Sequence, residues 1–283
     1  MDVKALFGLT NKNVVITGAG SGMGKAGAKL LNELGANVYA TVRRKPLDFP
    51  VTKEIKTDLC SESGIHALIS ELPKTIDALF ICHGISNSLG NSNALEVQLT
   101  NFQSFQRLTE LLLPRISDKG SVTFIASDGG KNWKTHVSEC LDVIACKSWN
   151  EAQSWYEMHP ELTSAGYTFA KECQIVYVMS KCHAPEFINR KIRLNAIAPG
   201  LTRTGLTDDF NKSLTGNAQQ GQSILEHLYL SSWNGHWATP EEMGYPMVAL
   251  GSQLFSYVSG QIIYINYGLS SKEELENFQK TNL

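Results

Sequence analysis

Short β-branched and aromatic runs alternate with longer stretches of helical periodicity along most of this chain, and no other property restricts its fold as much. Neighbouring parallel strands need a crossover of a dozen or more residues. A strand-helix-strand rhythm therefore predicts a parallel sheet with helices on both faces, a doubly wound α/β fold. The first strand is NVVIT at 13–17, followed by the helical pattern GKAGAKLLNELG, in which Ala28, Leu31 and Leu34 share a face and Gly35 stands where a C-terminal cap belongs. NVYATV (37–42) and the weaker EIKTDL (54–59) come next, then a helix ESGIHALISEL that stops before Pro73, and the apolar strand IDALFICHG at 76–84. A helix near 94–116, strand SVTFIAS at 121–127, a helix carrying AGYTFAKECQ, and strand IRLNAIAPG at 192–200 continue the series. A last helix starts near TPEEMG, where Thr239 can cap and Pro240 suits the first turn, and QIIYINYG (261–268) closes a sheet of about seven strands.

Two segments interrupt this rhythm. Residues 128–163 separate a strand from its helix by far more than an ordinary connection and contain Trp133, Trp149, Trp155 and Tyr156, so a helical insertion is expected there. Residues 201–238 form a second excursion, with Gly216, Gly221 and Gly235 as flexible points and Phe210, Leu225, Leu228, Tyr229, Leu230, Trp233 and Trp237 as apolar content, the composition of a lid over a site. The span 1–283 is expected to form one domain, because 283 residues with 42% hydrophobic content can bury a single large core.

Charge removes several classes of function. Twenty-five basic residues against 27 acidic ones leave no basic excess for nucleic acid or an anionic membrane surface. No apolar run approaches the roughly 18 residues of a membrane span, and the opening MDVKALFGLTNKNVVITG has no secretory pattern, so a cytoplasmic protein is expected. The six cysteines are widely spaced and lack CxxC pairs, which predicts reduced thiols and no metal site.

The stretch VVITGAGSGMGKAG places Gly18, Gly20, Gly22 and Gly24 between the first strand and the first helix, with Ser21 and Met23 among them. Free N–H groups and the partial positive charge of a helix N-terminus suit a pyrophosphate there, which makes the doubly wound sheet a Rossmann-like, dinucleotide-binding one. At the end of the second strand, where an acidic residue would hold the ribose of NAD, the chain has Val42 followed by Arg43, Arg44 and Lys45. Guanidinium groups bind a 2′-phosphate well, so NADP(H) is expected rather than NAD(H); the alternative is a solvated basic turn. Asp58, with Leu59 beside it at the end of the third strand, is placed to accept a hydrogen bond from adenine.

Tyr167 and Lys171 are one helical turn apart and so share a face. A free tyrosine titrates near pH 10, and an adjacent ammonium stabilises its anion, the change needed for acid-base work near neutrality.

Four motifs in order, TGxxxGxG at Thr17–Gly24, a serine after the fifth strand (Ser127), YxxxK at Tyr167–Lys171 and NAIAPG at 195–200, resemble the short-chain dehydrogenases/reductases over nearly the whole chain. Within that family the chain is similar to the bacterial 3α-hydroxysteroid dehydrogenase/carbonyl reductase branch, which also carries a long helical insertion between the serine and the tyrosine. The resemblance implies that Tyr167 protonates a carbonyl oxygen as hydride arrives, that Lys171 lowers the tyrosine's pKa and holds ribose hydroxyls, and that Ser127 donates to the substrate oxygen. It implies that Asn101 kinks its helix and holds a water that relays protons to the lysine. Pro199, Gly200, Thr202 and Thr204 resemble the segment that grips the nicotinamide carboxamide, Gly84 the close approach to adenosine, and Asn195 a structural position. Departures are equally visible. The family's NNAG is ICHG at 81–84, its late DGG is Asn266-Tyr267-Gly268, and Asp128 follows the serine, where a capping role is expected.

The resulting expectation is an NADP(H)-dependent enzyme that interconverts a bulky, mostly apolar ketone and a secondary alcohol. A catalytically idle dinucleotide sensor or scaffold, an enzyme for small carbonyl compounds, and a nucleotide-sugar epimerase are the competitors. The epimerase would need a larger C-terminal domain than the polar tail SSKEELENFQKTNL. The family habit implies a homo-oligomer, and the insertion favours a dimer over a tetramer by obstructing the tyrosine helix.

Overall fold

The computed structural model describes residues 2–86, 93–207, 211–212, 215–233 and 235–282; Phe210, assigned above to the lid, lies outside them. Seven strands form one sheet in the order β3-β2-β1-β4-β5-β6-β7, every pair parallel. They are β1 (Asn13–Ile16), β2 (Asn37–Val42), β3 (Lys53–Lys56), β4 (Ile76–Ile81), β5 (Ile116–Ile125), β6 (Arg193–Pro199) and β7 (Ile262–Ile265). The order reverses between β1 and β4, and a crevice opens beyond the carboxyl ends of these two strands.

Alternation along the strands divides the core into two layers. Val15, Leu79, Ile81, Val122 and Phe124 face one layer, where they meet α2 (Glu62–Glu71), α3 (Ser104–Leu112) and, farther on, the tyrosine helix. Val14, Ile16, Ala78, Phe80 and Ile197 face the other, against α1 (Gly22–Glu33) and the late helix Pro240–Gly251. Thr239 and Glu242 form the capping box that opens this late helix.

The insertion folds as α4 (Val137–Ala145), α5 (Trp149–Met158) and a short turn of helix, Pro160–Ser164, before the tyrosine helix α6 (Tyr167–Lys181). Three of its aromatic residues belong to the core. Trp149, Trp155 and Tyr156 are buried in the same layer as Phe102, Phe169 and Tyr177, and the Trp155 and Phe169 rings stack at 6.0 Å. Truncating a buried aromatic of this kind removes about 3–5 kcal/mol, so the insertion is part of the core. In the 201–238 excursion the lid helix is α7 (Ala218–Tyr229), the late helix is α8 (Pro240–Gly251), and the polar tail is α9 (Leu269–Asn282). Helix α9 is tied to the insertion by Lys131–Glu273 and Lys134–Glu274 ion pairs. Tyr267 holds a left-handed φ of 54° while its ring stacks on Trp233 of the lid at 3.7 Å, which is how Asn266-Tyr267-Gly268 is accommodated.

The long helix expected near 94–116 is broken into pieces. One turn, Ala94–Gln98, passes into a π turn at Leu99–Gln103 and then into α3. The π turn falls at Asn101, whose side chain leaves the helix to bond both the N–H and the carbonyl of Ile85, at 2.8 and 2.9 Å. This supplies the expected kink and pins the loop after β4.

Candidate active site

The glycine loop has almost no spare room. Gly18 has φ 66°, and a Cβ there would come within 2.8 Å of the His83 backbone. A Cβ on Gly24 would lie 2.4 Å from the Gly18 carbonyl oxygen. The loop is held by Gly18 N–H donating to Thr41 Oγ1 at 3.1 Å, and the Ser21 side chain makes no capping bond to the first turn of α1. The first-turn N–H groups thus face an open cleft of about 390 Å³. Its lining includes Gly18, Gly20, Ser21, Gly22, Met23, Gly24, Arg43, Arg44, Asp58, Leu59, Gly84, Thr204, Tyr167 and Lys171. A Cβ-free cradle at a helix N-terminus, with arginines at one end and a lysine at the other, fits a dinucleotide. Pro199, Gly200 and Thr202 continue the β6 end toward Thr204; Gly200 N–H donates to Ile265 O, and the Thr202 hydroxyl to Gly200 O. Asn195 is wholly buried and spans to Val258 O and Gln261 N–H, which gives it a structural role.

Tyr167 and Ser127 are joined by a side-chain hydrogen bond, and Ser127 Oγ also accepts from the Gly129 N–H at 3.1 Å. Lys171 is 4% exposed, and its Nζ sits 5.3 Å from the centre of the Tyr167 ring. The expected lowering of the tyrosine is not what this geometry produces. Burial pushes the Tyr167 hydroxyl up to about 12, outweighing the Ser127 bond, and burial brings the Lys171 ammonium down to about 7. Lys171 donates to Ile125 O at 2.7 Å and to Gln174 Oε1 at 3.2 Å. The Gln174 carboxamide lies beside the Asn101 turn, its Nε2 donating to Asn101 O at 2.5 Å.

The loss of the family's asparagine after β4 is made good by His83. Thr17 Oγ1 accepts from the Cys82 and His83 N–H groups at 3.0 and 3.4 Å, so its proton goes to His83 Nδ1 at 2.8 Å. On the other side, Ser104 Oγ donates to Thr100 O and so accepts from His83 Nε2 at 2.5 Å. Burial holds this imidazole down to about 3, hence neutral, and it ties the glycine loop to the start of α3.

Asp128 does not cap the insertion, since Ser127 does so. Its carboxylate is drawn instead toward Asn266 Nδ2 at 3.5 Å and lies against Gly200. Burial pushes it up to about 6 despite the Asn266 bond and the Lys131 charge. A carboxyl whose folded pKa is raised contributes stability that is complete below its unfolded value and is lost as pH rises through the folded one, here between about pH 4 and pH 6. Asp128→Asn is therefore expected to stabilise the fold by about 1–2 kcal/mol near pH 8 and by about zero near pH 4, read by chemical denaturation at both.

The comparisons with known proteins follow this architecture. A family model described as short chain dehydrogenase matches residues 12–139, and one described as Enoyl-(Acyl carrier protein) reductase matches residues 163–270. The stretch between the matches falls in the inserted helices. Coniferyl-alcohol dehydrogenase from Pseudomonas sp. (strain HR199 / DSM 7063) is 32% identical over 203 residues, 71% of this chain and 77% of that protein. The 3-oxoacyl-[acyl-carrier-protein] reductase FabG of Rickettsia prowazekii (strain Madrid E) is 25% identical over 273 residues, 93% of this chain and 99% of that one. Among solved structures, the 3-alpha-hydroxysteroid dehydrogenase from Pseudomonas sp. B-0831 complexed with NADH superposes with a TM-score of 0.70 at 20% identity, covering 89% of this chain and 94% of that one. The chain belongs to the short-chain dehydrogenase/reductase family. It is an oxidoreductase acting between carbonyl and alcohol, in a family that uses NAD(P)(H).

Proposed function

We propose that this enzyme uses NADP(H) to interconvert a bulky, mostly apolar ketone and its secondary alcohol. The observation that carries the reading is the convergence of Ser127, Tyr167 and Lys171 at one end of a cleft whose other end is rimmed by Arg43 and Arg44. Gly18 to Gly24 would hold the pyrophosphate, Arg43 and Arg44 the 2′-phosphate, Asp58, Leu59 and Gly84 the adenosine, and Pro199, Gly200, Thr202 and Thr204 the nicotinamide end. When bound, the dinucleotide supplies or accepts the hydride. Tyr167, protonated across the neutral range, donates its proton to the carbonyl oxygen. Ser127 donates to the same oxygen and stabilises its developing charge. The tyrosinate left behind is stabilised by the charge on Lys171, whose Nζ lies 5.3 Å from the centre of the ring.

Apolar side chains on the lid support a bulky substrate. Ile224 and Leu228 of α7 are exposed. The relative named for coniferyl alcohol, an aromatic compound, points the same way. The 3α-hydroxysteroid dehydrogenase/carbonyl reductase branch remains our reading of subfamily, and the cytoplasm of compartment. Helices α4 and α5 lie over α3 and α6, so a dimer would form through α8 and the β7 edge, where Tyr245, Leu254, Phe255 and Tyr257 are exposed. A ketone panel assayed with NADPH and with NADH by loss of reduced-nicotinamide absorbance tests the reading. Turnover of none of the ketones, with the dinucleotide still bound, would favour an idle sensor. In the same assay, replacing Arg43 and Arg44 together by alanine is expected to raise the KM for NADPH by about 10–100-fold and leave that for NADH within about 3-fold, the loss of two charge-assisted phosphate contacts.

A further inference from the structure

Lys171 has three ammonium protons, and the interior takes two of them: Ile125 O at 2.7 Å and Gln174 Oε1 at 3.2 Å. Gln174 is completely buried, and its orientation is fixed at the far end, where Nε2 donates to the carbonyl of Asn101 inside the π turn at 2.5 Å. An amide with one end tied to a backbone oxygen presents its own oxygen to the lysine and nothing else. We propose that Gln174 is a positioning residue that locks the Lys171 ammonium to the Asn101 turn and directs its remaining N–H toward Tyr167 and the cleft. The inference rests on the proposed role of Lys171 in that cleft.

The bridge has two chemical consequences. A carboxamide neither takes up nor releases protons near neutral pH, so a bridge of this kind closes the interior side of Lys171 to proton exchange and leaves the cleft side open. Its carbonyl dipole also favours the charged form of a buried amine that desolvation disfavours. The titratable groups around the ammonium are Tyr167 on its own helix and Cys82 and His83 in the segment after β4, while Asp128, in the turn after β5, acts on Tyr167. Glu172, paired with His136 at 2.7 Å, is the next residue along the helix. The π turn and α3 contribute the uncharged groups Asn101, Ser104 and Phe105 to this region. Among the described residues, Gln174 and Ile125 O are thus the polar contacts of the ammonium on its interior side.

The test uses Gln174→Met, which keeps the volume and removes both bonds, and Gln174→Glu, which places a carboxylate where the amide oxygen was. Titration of Lys171 in the protein without dinucleotide, followed by NMR of ¹³Cε-labelled lysine, is expected to move down by one unit or more in the methionine variant and up by one unit or more in the glutamate variant. The alkaline limb of the pH profile for carbonyl reduction should move in the same directions. In the methionine variant kcat should fall about 10–100-fold with dinucleotide Kd within about 3-fold of the parent. A Lys171 titration unmoved in both folded variants would overturn the inference, and so would movement in one direction in both. Failure of the parent protein to reduce any carbonyl compound would count against the proposed function, while the NMR titration would still decide the role of Gln174.

Discussion

Replacing Tyr167 by phenylalanine is expected to lower kcat for carbonyl reduction by about 10³-fold or more, while the dinucleotide Kd stays within about 3-fold of the parent. The substitution removes one oxygen from a half-buried ring and leaves the helix, the glycine loop and the arginines in place. What is lost is the proton donor and one hydrogen bond to Ser127, which keeps its second bond to the Gly129 N–H. A serine hydroxyl is no substitute acid, because an aliphatic alcohol is far less acidic than a phenol. Steady-state kinetics beside fluorescence titration of the dinucleotide checks this result. A variant that turned over within about 10-fold of the parent would remove Tyr167 from the chemistry.

The second large effect is expected at Gly24, where addition of a single methyl group should raise the dinucleotide Kd by about 100-fold or more. In Gly24→Ala the new carbon would stand 2.4 Å from the Gly18 carbonyl oxygen and 3.2 Å from the Cys82 side chain, with backbone on the first side. Two backbone segments cannot approach that closely, so the first turn of α1 must move away from the loop. The N–H groups that face the pyrophosphate move with it. Overpacking of this sort costs about 1–3 kcal/mol, so the protein should fold with a melting temperature a few degrees lower. Isothermal titration with NADPH and a thermal scan separate the binding loss from the stability loss. A Kd within about 5-fold of the parent would show that the loop is not the phosphate site.

Much of this architecture was legible because it depends on local chemistry. Gly18 to Gly24 sit between a strand and a helix, Thr239 and Glu242 spell a capping box, and the alternation in β1 and β4 sends Val15 and Leu79 to one core layer and Ile16 and Phe80 to the other. What was not legible depends on burial and on partners distant in sequence. The spacing of Tyr167 and Lys171 fixes a shared helical face, yet the direction of the tyrosine's shift depends on how much water the fold excludes, and here burial outweighs the hydrogen bond from Ser127. Trp149, Trp155 and Tyr156 have the same composition whether they line a pocket or fill a core, and only the packing of α4 and α5 onto α6 separates the two. Gln174 ends the stretch AGYTFAKECQ, three residues beyond the lysine and so on its face. That spacing was the one available signal for it. Its partner Asn101 is 73 positions away, and no local pattern joins them. His83 was likewise visible as a departure from the family pattern, but its role as a brace appears only once Thr17 and Ser104 flank it.

That histidine also gives the molecule a built-in spectroscopic reporter. A single tautomer, half-buried at the wall of the cleft and donating from Nε2 over 2.5 Å, should give a downfield ring-proton resonance. Because the ring spans the strand-to-helix loop and the base of α3, that one line would broaden or shift whenever the two halves of the nucleotide cleft lose their mutual registration. It would do so in any variant, without turnover and without a label.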